Sequence, residues 1–148
     1  MPDRTRSSTI IQAPPASVMA VIADFAAYPE WASAVKSAEV TEAGSDGRAR
    51  RVRFRLDAGV IRDSYVLVYE WDADTQVSWR LAEPTAVLSV MSGSYLLSDR
   101  DPGTEVTYEL AVAVRIPMLG MVKRRAEKMI IDTALKGLRK RVEKLGEA

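Results

Sequence analysis

The 148-residue sequence contains no cysteine and no histidine. Without cysteine there is no disulfide, no thiolate nucleophile and no thiolate ligand for zinc or an iron–sulfur cluster. Without histidine there is no Ser-His-Asp triad, no imidazole metal ligand and no side chain that titrates unaided near neutral pH. Acid–base chemistry would have to run on carboxylates, Lys, Arg, Tyr or ordered water, and no metal or cofactor is expected. No apolar run approaches the roughly 18 residues of a membrane-spanning helix. The stretch MPDRTRSSTII is polar, with no apolar segment before a cleavage site, so the expected location is the cytoplasm.

What is present has the balance of a folded domain. Hydrophobic residues make up 47% and charged residues 28%, which argues against disorder. The length suits a single domain over residues 1–148, one that buries about 68–70% of its unfolded surface and needs no covalent staple. Net charge is only +1, yet it is unevenly placed: 12 basic and 16 acidic residues before position 118, nine basic and four acidic after it. A solvated helix face accounts for that asymmetry; an anionic partner surface is the alternative.

Alternation and punctuation lay out the elements. Thr5 to Gln12 is a short first strand, stopped by Pro14-Pro15, which suit the first turn of a helix. Val18, Val21 and Ile22 carry that helix to Ala23, and Tyr28-Pro29-Glu30-Trp31 forms a second short one. Six strands follow: Val35–Glu42, Arg51–Asp57, Asp63–Trp71, Val77–Leu81, Val87–Leu97 and Val106–Val114, with turn clusters between them. In the second of these, Val52, Phe54 and Leu56 face one way and Arg51, Arg53 and Arg55 the other. Gly93, inside a strand, predicts a bulge or bend. Short turns between successive strands mean an antiparallel meander, apolar on one face and polar on the other.

From Pro117 to about Leu145 no proline intervenes, and the spacing predicts one long helix. Its apolar stripe reads Val122, Ala126, Met129, Ile130, Thr133, Ala134, Gly137 and Leu138, wide enough to cover a sheet.

This order, with APPASVMAVIADFAAYPEW near the start and IPMLGMVKRRAEKMIIDTALKGLRKRVE at the end, resembles the START-like (SRPBCC) superfamily. It is most similar to the polyketide cyclase/dehydrase and lipid-transport branch, from about Ser8 to Glu143. The resemblance implies an α+β helix-grip fold: a seven-stranded curved antiparallel sheet around a long C-terminal helix, with two short helices after the first strand. It also implies a cavity between sheet and helix that takes apolar or amphipathic molecules such as lipids, sterols or polyketides. A minority of members cyclise or aromatise a bound polyketide, using pocket Arg, Tyr, Trp, Ser or His. Here Tyr and Trp are present, but no Arg falls on the inward register.

On that reading Phe54, Tyr65, Tyr69, Trp79, Tyr95 and Tyr108 point inward, offering flat apolar area with polar tips. The alternative is a filled core whose hydroxyls bond to backbone. Met91, Met118 and Met129 add adaptable apolar surface, as does Met121, and Val122, Ile130 and Thr133 face them from the helix. Thr133 is placed to donate to a ligand. Trp31 is either a wedge between the second short helix and the long one or a lid at the cavity mouth; Met118, Leu119 and Met121 are candidates for the same entrance. Asp57, Asp63, Glu70 and Glu109 are the carboxylates available for acid–base work, and they read as solvated charges and cross-strand pairs. Arg48, Arg50, Arg51, Arg53 and Arg55 form a basic patch, but the aromatic residues lie on the other face, so nucleic acid is not expected.

Three functions follow: a carrier or sensor of one hydrophobic or amphipathic small molecule, a polyketide cyclase-type enzyme, and a module docking its basic helix on a protein or anionic membrane. The first is the expected one, in a monomer or homodimer with no transmembrane segment; the third keeps a peripheral membrane contact open.

Overall fold

The computed structural model describes residues 4–59, 61–100, 103–115, 117 and 119–146. Strand β1 (Thr5–Ile11) leads to helix α1 (Pro15–Ala23), a 3₁₀ turn (Phe25–Ala27) and the one-turn helix α2 (Tyr28–Trp31). Pro14 takes extended dihedrals as the cap of α1, and Pro15 occupies the first turn, where its missing N–H leaves no bond unmade. Strands β2 (Val35–Ala43), β3 (Ala49–Asp57), β4 (Arg62–Asp72), β5 (Gln76–Leu81), β6 (Leu88–Arg100) and β7 (Gly103–Val114) come next, followed by helix α3 (Gly120–Gly146).

All seven strands form one antiparallel sheet in the order β1-β7-β6-β5-β4-β3-β2. Strands β2 to β7 are the expected meander. The first strand leaves it, pairing with the last, and the α1–α2 connection carries the chain across to the opposite edge. This is the helix-grip arrangement.

Alternation holds in β3, where Val52, Phe54 and Leu56 are buried and Arg51, Arg53 and Arg55 exposed. Gly93 does not make a bulge. Pairing of β6 with both neighbours runs through it without a register shift; the irregularity lies at Leu88–Val90. Gly93 stands opposite Trp79, and a Cβ there would come within 2.6 Å of the Trp79 ring and of the Glu109 carbonyl. The glycine makes room for an indole.

Helix α3 starts later than Pro117. Its first turn is closed by the Leu119 carbonyl, which accepts from the Val122 and Lys123 amides. At 27 residues the helix is about 40 Å long. It buries Ala126, Ile130, Ile131, Ala134, Leu135, Leu138 and Val142 over the β1–β7 side of the sheet. The same seam holds Glu127, only 1% exposed. Its carboxylate accepts from the Thr5 hydroxyl at 2.9 Å and from the Val112 amide at 2.9 Å. Because β1 begins at Thr5, opposite Leu110, Val112 lies beyond the paired segment, and the glutamate takes the place of a strand partner.

Candidate functional site

Away from α3, the concave face is closed by the 3₁₀ turn and α2. Phe25 and Tyr28 stack at 4.8 Å, and Phe25 meets Tyr69 edge-on at 4.9 Å. Tyr28 lies 4.7 Å from Trp31. From the sheet, Phe54 stacks on Tyr65 at 5.9 Å, Tyr69 lies 5.7 Å from Trp79, and Tyr95 and Tyr108 approach to 4.6 Å. All these centroid separations fall in the range where aromatic pairs attract.

These rings do not fill the space. They leave about 60 Å³ open to the centres of water molecules, against roughly 10–15 Å³ for one water. The wall includes Trp31, Phe54, Tyr65, Tyr69, Trp79, Met91, Tyr95 and Tyr108, together with Ile130 and Thr133 of α3. Those ten sequence candidates are therefore brought together. Two others are not. Met129 is 43% exposed: it precedes Ile130 by one residue, about 100° around the helix, and so turns to solvent. Val122 is half-buried and sits a full turn before Ala126, outside the cavity wall. Met118 lies outside the described residues. Leu119 and Met121, the other entrance candidates, are exposed at 76% and 67%.

The wall also contains residues that the sequence does not mark as cavity lining: Tyr28, Ala32, Ala34, Val35, Leu56, Leu67, Leu110 and Ala134. Leu56, Leu67 and Leu110 carry a usable signal, since each lies two residues from a named aromatic on the same face of its strand. Tyr28, Ala32 and Ala34 come from the α2 crossover, whose direction no periodicity reports.

Tyr28 donates its hydroxyl to the Ile22 carbonyl at 2.5 Å. The hydroxyls of Tyr65, Tyr69, Tyr95 and Tyr108 hydrogen-bond to no protein group among the described residues, and all four residues line the cavity. Burial raises the pKa of each of these phenols, and neighbouring tyrosines add to the effect on Tyr65, Tyr69 and Tyr95. They act as neutral donors and acceptors. No charged side chain belongs to the cavity wall among the described residues. The carboxylates named from sequence lie elsewhere: Asp57 pairs with Arg62 at 3.2 Å, Glu109 with Arg6 at 3.7 Å, Asp63 accepts from Thr85, and Glu70 is exposed. Trp31 is buried, and its indole N–H has no partner among the described residues.

Residues 3–143 match the family model described as polyketide cyclase/dehydrase and lipid transport. Comparison with curated proteins finds no match. Solved structures share the fold. A START superfamily protein from Mycobacterium smegmatis superposes with a TM-score of 0.87 at 20% identity, over 96% of this chain and 98% of that one. A protein from Thermus thermophilus gives 0.79 at 22%, over 97% and 99%. The Zhui aromatase/cyclase from a Streptomyces species gives 0.77 at 17%, over 97% and 94%.

Proposed function

The chain belongs to the polyketide cyclase/dehydrase and lipid transport family, and from that premise we propose that it binds one hydrophobic or amphipathic small molecule between the sheet and α3, as a carrier or sensor. The observation that carries this reading is the set of four phenol hydroxyls without a partner among the described residues. Buried polar groups in a finished core are hydrogen-bonded, because an unmade bond costs about 1–3 kcal/mol. Four hydroxyls without a described partner, on residues that share one cavity wall, are available to bond a molecule that enters it. The aromatic and aliphatic remainder of the wall suits an apolar body.

A cyclisation would need a group able to remove or deliver a proton near neutral pH. The described wall holds no carboxylate, amine or guanidinium, and burial keeps its phenols from acting as bases, which favours binding over catalysis.

Native mass spectrometry of the purified protein, followed by solvent extraction, tests the proposal. A stoichiometric small molecule of lipid or polyketide character is the expected result. An empty protein that also gains no thermal stability from a panel of such compounds would sink the reading, since a ligand at 100 times its Kd adds about 2.7 kcal/mol.

A further inference from the structure

We propose that the ligand is an amphipathic anion: its apolar body lies among the phenols, and its charged end rests outside Trp31 on Lys136 and Lys140. This rests on the binding reading above and narrows it to a chemical class.

Trp31 and Thr133 line the internal cavity and also a surface groove whose other walls are Asp132, Lys136, Gly137 and Lys140. Cavity and groove therefore meet at these two residues. The space behind them holds only a few waters, so a larger guest enters only if part of the wall moves. The α2 backbone is a poor candidate for movement. A Cβ on Gly137 would lie 1.7 Å from the Trp31 carbonyl oxygen, so this strip of α2 is seated directly on the α3 backbone. The Trp31 side chain is the better one: its N–H has no partner among the described residues, and rotating the ring breaks no hydrogen bond to them.

The charges beside this partition are not balanced. Asp132 is held by Lys128 at 2.8 Å, and Glu30, in the adjoining groove, by Arg141 at 2.9 Å. Lys136, Lys140 and Lys144 follow at helical spacing, and none makes an ion pair with a described residue. Both acids at the mouth already have their cations, which leaves the lysines without a described acid to meet. An aromatic chamber beside ammonium groups that no described acid pairs fits a molecule with an apolar body and an anionic end.

Two dyes with one aromatic skeleton test this: anilinonaphthalene sulfonate, and N-phenylnaphthylamine, which lacks the sulfonate. Fluorescence titration at low salt should give the sulfonate about tenfold tighter binding, the scale of one or two screened charge contacts. The double variant Lys136→Gln/Lys140→Gln should reduce the sulfonate to the affinity of the neutral dye, while Arg53→Gln on the convex face keeps the preference. Equal binding of the two dyes to the wild type, or a preference that survives the double substitution, overturns the anionic class and leaves the cavity reading standing. Failure of both dyes to bind overturns the two together.

Discussion

Five tyrosines share one cavity wall, and they divide by what their hydroxyls do. Tyr28 ties α2 to the end of α1 by donating to Ile22, while the other four donate to nothing among the described residues. The division gives a paired prediction. Tyr28→Phe should lower unfolding free energy by about 1–3 kcal/mol, because it strands a buried carbonyl. Tyr65→Phe should leave stability within about 0.5 kcal/mol and weaken ligand binding by roughly 0.5–1.5 kcal/mol. Urea denaturation and ligand titration of the two variants separate the effects; a stability loss for Tyr65→Phe equal to that of Tyr28→Phe would make Tyr65 a core residue. Gly93 shows the same dependence on a neighbour at the residue scale. Its meaning comes from Trp79 across the ladder, and from sequence alone a strand glycine reads as a bulge.

Among the elements, α3 decides how the site is closed. Its seam of Ala126, Ile130, Ala134 and Leu138 follows the apolar spacing, so much of that face is legible in the sequence. Met129 and Glu127 escape such a reading for one physical reason: hydropathy reports what a residue prefers, while helix phase and the neighbouring strand decide where it goes. Glu127 is buried because the Val112 amide needs an acceptor where β1 has run out. Gly137 joins α3 to α2. Gly137→Ala should raise helix propensity by up to about 1 kcal/mol and still lose roughly 1–3 kcal/mol net, because the Trp31 carbonyl has to give way. Chemical denaturation measures it, and a stabilised variant would mean that α2 yields freely there.

For the molecule as a whole, all five tyrosines of the chain are buried. Their pKa values are raised in the folded state, so above pH 10 the unfolded chain gives up protons that the folded one retains. Stability from this source is full below the ordinary tyrosine pKa of about 10 and drains away as pH rises beyond it. Tyrosinate absorbance should therefore stay absent past pH 10 and then appear together with loss of the fold. A smooth titration centred on pH 10 with the far-ultraviolet circular dichroism intact would contradict the buried cluster.

The sequence by itself determined which strand faces are apolar, where the turns fall and that a long helix follows the last strand, because alternation and helical spacing are local properties of the chain. It also carried the fold, through the Pro-Pro start, the YPEW turn and the C-terminal helix. Only the tertiary structure decided that β1 joins β7, that Glu127 is buried, that Gly137 receives the α2 backbone, and that Trp31 and Thr133 are shared by the chamber and a groove lined by Lys136 and Lys140. Each of these depends on groups far apart in the chain meeting at one place, and no window of sequence contains both partners.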